Sequence, residues 1–179
     1  MKKIIIAGGF LDLDILGLPA SIDNFLPEKE FQAFLRYVTD ASNEFPWYRG
    51  YKIEGASDVQ PQIQLVHVFK HPEYGTSKHY EGFTPIESKF NKVVKAKINL
   101  TFNSGEQKLG GWHYDYEEGS DNTIAILYLN DNNGFTLLED GTQFQSKANR
   151  LAIFDNVSHT DVTQTDTEER MMLNIGFIK

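Results

Sequence analysis

From Lys95 onward, the sequence consists of short runs rich in β-branched and aromatic residues, separated by turn-forming clusters. The clusters combine Asn, Asp, Gly and Ser, as in Asn-Asp-Asn-Asn-Gly at 130–134 and Glu-Asp-Gly at 139–141. This texture is typical of successive antiparallel strands, and it predicts a mainly β fold with flanking helices that closes on itself as a barrel or jelly roll. The predicted strands cover 96–102, 123–129, 135–139, 143–145, 150–154 and 170–178.

The chain before residue 95 has a different pattern. Apolar residues at helical spacing from Phe31 to Val38 follow a Pro-Glu-Lys-Glu opening, which predicts an amphipathic helix ending near 42–43. Alternation over 61–70 predicts a strand, and 85–94 is predicted to form a second, shorter helix.

A single domain is expected for a chain of 179 residues. Within residues 1–179, we expect 1–94 to supply helical and strand support and 95–179 to form the core barrel that carries the site. Acidic Asp12 and Asp14 interrupt the apolar stretch near the start, so we interpret that stretch as a first strand of a cytoplasmic protein rather than a secretory signal.

Composition excludes several classes of function. A net charge of −8 argues against broad binding to nucleic-acid phosphates, which needs a basic surface. No apolar run approaches the roughly 20 residues of a membrane span. Because the chain has no cysteine, thiolate zinc sites and disulfides are excluded, and any metal must be bound through His, Asp and Glu.

Three residues have the spacing of a metal site. His113 and Asp115 lie two apart just before a predicted strand, so their side chains can project to the same side. His159 follows 44 residues later (159 − 115), directly after the apolar run 150–154. A His-x-Asp pair alone usually marks a solvated turn. With the distal histidine it forms the two-His, one-carboxylate set associated with non-haem Fe(II) oxygenases.

Arg170 opens the last predicted strand. Alternation places four apolar residues on one face, which can pack against helices: Met171, Leu173, Ile175 and Phe177. Arg170 shares the other face, which looks into the barrel, with Met172, Asn174 and Gly176. A desolvated arginine needs a carboxylate. A dicarboxylate cosubstrate, an internal Asp or Glu, and a position at the barrel rim all remain open from the pattern.

The order of these motifs resembles that of the small prolyl 4-hydroxylase-like 2-oxoglutarate oxygenases, a family with many microbial and bacteriophage-encoded members. The resemblance covers most of the chain and implies a double-stranded β-helix, a cupin-like jelly roll. The matching segments are Ile-Asp-Asn-Phe-Leu-Pro at 22–27, Phe-Pro-Trp-Tyr at 45–48, Lys-Ile-Asn-Leu at 97–100, His-Tyr-Asp at 113–115, Leu-Tyr-Leu-Asn at 127–130, the strand 149–154 before His159, and the strand 170–177.

The resemblance implies a role for each site residue. His113, Asp115 and His159 would be the catalytic Fe(II) ligands, with 2-oxoglutarate and O2 as cosubstrates. Cosubstrate contacts are implied for Arg170 and Tyr128 at the C5 carboxylate, and for Asn99 and Thr101 on the first barrel strand. Two features depart from the family pattern: the interval from His159 to Arg170 is slightly long, and Gly176 stands where some relatives carry a bulky aromatic residue.

The implied reaction is hydroxylation of a C–H bond with release of succinate and CO2, and the resemblance favours a peptidyl proline. The sequence itself is compatible with a peptide, protein or small-molecule substrate, and it specifies no oligomeric state. One alternative is a non-catalytic cupin or jelly-roll binding module with an incidental metal. Another is a manganese or zinc enzyme on a similar barrel that uses no keto acid.

Overall fold

The computed structural model describes residues 3–6, 9–51 and 63–178, and antiparallel strands dominate it. The helices in this part of the chain are α1 (Leu13–Leu16), α2 (Glu28–Thr39) and α3 (Thr84–Glu87), with short 3-10 turns at Ala41–Asn43 and Tyr80–Gly82. The strands are β1 (Lys3–Ile6), β2 (Gly9–Asp12), β3 (Ala20–Ile22), β4 (Tyr48–Tyr51), β5 (Ile63–His71), β6 (Gly75–Thr76), β7 (Lys92–Phe102), β8 (Asn122–Tyr128), β9 (Phe135–Leu138), β10 (Gln143–Gln145), β11 (Leu151–Asp155), β12 (His159–Val162) and β13 (Glu169–Ile178).

Two facing sheets form the body of the fold. The large sheet has the order β3-β11-β8-β13-β7-β5-β4, with β6 paired to β5, and the small sheet has the order β10-β9-β12. The segment 108–113 continues the small sheet, because Leu109 bridges Val162 and His113 bridges His159. This arrangement of a large and a small antiparallel sheet is the jelly roll expected from the sequence.

The large sheet is buried on both faces. Its inner face meets the small sheet in one apolar cluster, to which β8 contributes Ile126 and β10 contributes Phe144. Its outer face packs against α2, whose Phe31, Phe34 and Val38 are buried. A strand buried on both faces needs a near-continuous apolar sequence, which explains the composition of β8 and β11.

The last strand places its residues on alternating faces. Met171, Leu173, Ile175 and Phe177 join the outer core with α2, while Met172 joins the inner cluster. The prediction that the odd-numbered face packs against helices is therefore confirmed, and Arg170 belongs to the inner face.

The prediction of a second helix over 85–94 is wrong. Helix α3 ends at Glu87, and residues from Lys92 onward belong to β7. The physical reason is the β-branched pair Val93-Val94, which favours extended backbone. In addition, Val93 is buried in the core and pairs in register with Phe177 of β13.

The other predicted elements agree with the structure to within a few residues. The predicted amphipathic helix is α2, which ends at Thr39. The 3-10 turn Ala41–Asn43 follows it and ends where the helix was predicted to end. The strand predicted over 61–70 is confirmed as β5 from Ile63, whereas Pro61 and Gln62 lie outside the described residues. Among the described residues, none of the helices is both long and apolar enough to cross a bilayer.

Asn149 ties the large sheet to the segment that leads into α2. Its side-chain amide donates to the Leu26 carbonyl at 2.8 Å, and its side-chain oxygen accepts from the Leu26 N–H at 2.9 Å. Asn149 is buried and has a left-handed backbone with φ of 61°. Asparagine adopts this backbone more readily than other residues that carry a Cβ, so one side chain satisfies both constraints.

We expect Asn149→Ala to lower the free energy of unfolding by about 2–4 kcal/mol, because it leaves two buried backbone groups unpaired and strains the left-handed backbone. Asn149→Gly should cost about 1 kcal/mol less, since glycine relieves the strain alone. Urea denaturation measures both, with Asn91→Ala, at an exposed position, as control. An alanine variant as stable as wild type would show that this pair does not hold the two segments together.

Candidate functional site

A cavity opens between the two sheets where β7, β8, β12 and β13 meet. Its wall contains His113, His159 and the inward side chains of β7 together with Ile126 and Met172. The cavity exists because the inner face of β7 carries polar residues at alternate positions. These side chains do not pack into an apolar core as the rest of the inner face does. The cavity therefore combines polar groups with an apolar wall.

The two predicted histidine ligands lie side by side. The His113 N–H donates to the His159 carbonyl, and the His159 N–H donates to the His113 carbonyl, both at 3.0 Å. The imidazole ring centroids are 4.5 Å apart. The Asp115 Oδ2 atom is 3.6 Å from His159 Nε2, and both side chains are almost fully buried. The structure thus brings all three predicted ligands together, while their role as ligands stays a prediction.

Both imidazoles are held in the same tautomer. His113 Nδ1 is 3.0 Å from the Gly111 carbonyl, and His159 Nδ1 is 2.9 Å from the Val157 carbonyl. A carbonyl oxygen can only accept, so each neutral ring carries its proton on Nδ1 and keeps the Nε2 lone pair. This pattern of Nδ1–H bound to a backbone carbonyl is what orients histidines that ligate metals through Nε2.

The donor set fits a divalent ion, although the side chains do not stand at coordinating distances. In the stretches of chain that the structure describes, no three His, Asp or Glu side chains converge tightly enough to hold a metal as they stand. Two adjacent octahedral ligands at about 2.1 Å from one ion are about 3 Å apart. The observed 3.6 Å between Asp115 and His159 is close to that value, so small side-chain rotations would bring this pair to coordinating distance.

Charges around the site favour these protonation states. Burial raises the pKa of Asp115, but the positive charge of Lys97, with smaller effects from His159 and Lys95, outweighs burial and holds the pKa below its ordinary value. Burial lowers the pKa of His159 more strongly than its bond to Val157 raises it. An ionised carboxylate and a neutral imidazole are the forms that bind a metal.

Arg170 is completely buried and only partly satisfied. Its Nε donates to Ser146 Oγ at 2.7 Å, and its Nη1 lies 3.4 Å from Asp161 Oδ2. Its Nη2 finds no hydrogen-bond partner in the part of the chain that the structure describes. Of the possibilities that the sequence left open, the rim position is excluded. Asp161 supplies an internal carboxylate, but its contact with Nη1 is long. The Nη2 group of the guanidinium stays without a partner among the described residues.

The other predicted cosubstrate residues lie near Arg170. Thr101 pairs with Arg170 across β7 and β13, and Asn99 pairs with Met172. Thr101 Oγ1 and Asn99 Oδ1 are buried, face the cavity and have no partner. The Tyr128 hydroxyl is 2.7 Å from Thr136 Oγ1, and its ring lies 5.7 Å from the Arg170 guanidinium carbon. A cosubstrate contact for each of these residues stays a prediction.

Four of the residues that line this cavity or contact Arg170 were given no role by sequence reasoning: Lys97, Asn174, Ser146 and Asp161. Alternation alone could have identified two of them. Lys97 lies on the same face of β7 as Asn99 and Thr101, and Asn174 lies on the same face of β13 as Arg170. Ser146 and Asp161 gave no such signal. Ser146 lies beyond the end of β10, and β12, which carries Asp161, was not predicted.

Tyr116 occupies the space above Gly176. A Cβ atom at Gly176 would overlap the Tyr116 hydroxyl oxygen. The glycine, which departs from the family pattern, therefore does not enlarge the cavity, because an aromatic side chain reaches the same place from the loop after Asp115. The Tyr116 hydroxyl is buried without a hydrogen-bond partner, and burial, together with the charge of Asp115, raises its pKa.

The fold is that of known oxygenases. No family model and no curated protein sequence matches the chain. A prolyl-4-hydroxylase from Pseudomonas putida is 16% identical at a TM-score of 0.62, covering 93% of this chain and 96% of that one. A Trichoplax adhaerens prolyl hydroxylase, solved with a hypoxia inducible factor peptide fragment, is 13% identical at 0.61, covering 93% and 85%.

A third similar structure is the non-haem α-ketoglutarate-dependent carbocyclase SnoK from nogalamycin biosynthesis, 13% identical at a TM-score of 0.61, covering 89% of this chain and 79% of that one. At such identities the likeness establishes the fold alone. The chain has the double-stranded β-helix of the 2-oxoglutarate oxygenases, which confirms the predicted fold class. Since fold does not fix reaction, the reaction has to be argued from the site.

We expect His113→Ala, Asp115→Ala and His159→Ala each to weaken Mn(II) binding by more than about 10-fold, the lower limit for losing even an outer contact of a metal site. Titration calorimetry with Mn(II) measures the loss. His71→Ala serves as control because His71 does not line the cavity. Unchanged Mn(II) affinity in any one variant would remove that residue from the site.

Proposed function

We propose that this protein is an Fe(II)- and 2-oxoglutarate-dependent dioxygenase that hydroxylates a C–H bond and releases succinate and CO2. The observation that carries the proposal is the buried Arg170, whose Nη2 lacks a partner among the described residues. Arg170 lies directly behind Thr101 and Asp161, which line the same cavity as His113 and His159. A buried and incompletely paired guanidinium is costly unless a ligand completes it. A cosubstrate with a terminal carboxylate is such a ligand.

The remaining polar atoms of the wall support a dicarboxylate. Arg170 offers a planar fork that suits a carboxylate in two-point contact. The Thr101 hydroxyl, buried and without a partner, lies on the paired position of the neighbouring strand. Buried polar groups without partners cost about 1–3 kcal/mol each, and their presence beside the arginine is explained if a ligand satisfies them.

Different residues of the site would bind the iron and the cosubstrate. His113, Asp115 and His159 would hold the iron by one face and leave three positions open. When bound, the iron supplies O2 activation coupled to oxidation of the keto acid. Arg170 would fix the far carboxylate of the cosubstrate, and Ile126 and Met172 would keep that part of the cavity dry. Because Asp115 provides a carboxylate ligand where halogenating relatives need a small residue, hydroxylation is favoured over halogenation.

Two rival functions make different demands on the site. A non-catalytic jelly-roll module has no need of an incompletely paired arginine beside a histidine pair. A manganese or zinc enzyme without a keto acid has no need of Arg170 in the cavity at all. Both rivals predict no succinate when the protein is incubated in air with Fe(II), 2-oxoglutarate and candidate substrates. The proposal predicts succinate and a substrate that gains one oxygen atom. The peptidyl proline favoured by the resemblance stays a prediction.

We expect Arg170→Ala to weaken 2-oxoglutarate binding by about 30-fold to several thousand-fold, because removing one partner of a desolvated charge pair costs roughly 2–5 kcal/mol. Arg170→Lys should recover part of this loss, since a point charge cannot reproduce the fork. Titration calorimetry in the presence of Mn(II), which prevents turnover, measures the affinities.

The control for this experiment is Arg36→Ala, which removes the same side chain from the exposed face of α2. It should bind 2-oxoglutarate as wild type does. Wild-type affinity in Arg170→Ala would mean that Arg170 is a structural partner of Asp161, and the cosubstrate assignment would then be withdrawn.

A further inference from the structure

Lys97 is a cation in the wall of the cavity, on the side of Asp115. It lies on β7 at alternate positions with Asn99 and Thr101, and it lines the cavity with His113 and His159. Lys97 is half-buried, and its ammonium is not one of the fully buried atoms that lack a partner. Among the residues that the structure describes, Lys97 has no hydrogen-bond partner, and none of their carboxylates lies within 4.0 Å of its ammonium.

The acids nearest to Lys97 already have other partners. Asp115 lies 3.8 Å from Lys95 Nζ and 3.6 Å from His159 Nε2. If Asp115 also binds a metal ion, its negative charge is further neutralised by that ion. Asp161 lies 3.4 Å from Arg170. Lys97 is therefore a half-buried cation whose strongest neighbouring charge, that of Asp115, is shared with Lys95 and His159, so an anion in the cavity can still pair with it.

We propose that Lys97 binds a free carboxylate of the primary substrate, so that the substrate is a small carboxylic acid rather than an internal residue of a polypeptide. This inference rests on the proposed function, because it names the substrate class of the same site. The cavity would then contain two anion anchors, Arg170 for the cosubstrate and Lys97 for the substrate.

The geometry assigns the two cations to different anions. Arg170 pairs with Thr101 and Asn174 pairs with Lys97 in the register of β13 and β7. Positions four residues apart on a strand are separated by about 13 Å. The Arg170 side chain is directed to Ser146 and Val162 of the opposite wall. A five-carbon dicarboxylate held at Arg170 therefore leaves Lys97 without a partner.

The surroundings of Lys97 are polar. Asn174, its partner on β13, has a buried side-chain oxygen that finds no hydrogen bond among the described residues, and the buried hydroxyl of Tyr116 also finds none. Lys95, Lys97, Asp115, Tyr116 and Asn174 line one small recess, which is too small to hold a carboxylate itself. The substrate carboxylate would therefore reach Lys97 from the main cavity, which Lys97 and Asn174 also line.

The test compares acids with their amides. The protein, saturated with Mn(II) and 2-oxoglutarate, is titrated with the common free L-amino acids and short aliphatic acids, each beside its carboxamide. At least one acid should raise the thermal midpoint and bind at least tenfold more tightly than its amide in titration calorimetry. Lys97→Met should weaken that acid by at least tenfold and leave the amide unchanged.

Two further variants make the result specific. Lys92→Met removes the same side chain from the exposed start of β7 and should bind the acid as wild type does. Lys97→Arg keeps a cation and should retain more affinity than Lys97→Met. If Lys97→Met does not fold, the difference between acid and amide in wild type and the response of Lys97→Arg still decide the question.

The outcomes separate this inference from the proposed function. Wild-type protein that fails to bind 2-oxoglutarate contradicts the proposed function. Normal 2-oxoglutarate binding with no response to any acid, with equal binding of amides, or with acid binding that survives in Lys97→Met overturns the Lys97 assignment alone. Loss of 2-oxoglutarate affinity in Lys97→Met would show that Lys97 serves the cosubstrate, which also overturns it.

Discussion

The backbone pairing of His113 with His159 is the interaction on which the candidate site depends. Its two reciprocal 3.0 Å hydrogen bonds attach the loop before β8 to the start of β12. Because residues paired directly across antiparallel strands carry neighbouring side chains, this pairing alone brings two imidazoles within 4.5 Å of each other. Asp115, two residues along, then reaches the same place.

The large sheet tolerates polar residues on the inner faces of β7 and β13 because the outer faces of the same strands are buried in the core against α2. The outer core against α2 contains Leu173, Ile175 and Phe177 from β13 alone. That burial supplies the apolar stabilisation of the large sheet. The inner faces are thereby free to carry Lys97, Thr101 and Arg170, which cost stability in an empty cavity and are best explained by the ligands that they would bind.

The sequence predicted the elements whose signals are local. Alternation identified the faces of β13, and turn clusters marked the strands after Lys95. The sequence did not predict what depends on contacts between distant segments. The strand β12, four residues beginning at His159, has no repeated apolar pattern and exists because β9 and the segment 108–113 pair with it. Asp161 and Ser146, which contact Arg170, were missed for the same reason.

The central claim is that His113, Asp115 and His159 hold iron in reach of a keto acid anchored at Arg170. The most direct test is the visible absorption of the protein after anaerobic addition of Fe(II) and 2-oxoglutarate. The account predicts a weak metal-to-ligand charge-transfer band that requires both additions and is absent in His159→Ala. Wild-type protein without this band, or a band that persists unchanged in His159→Ala, would contradict it.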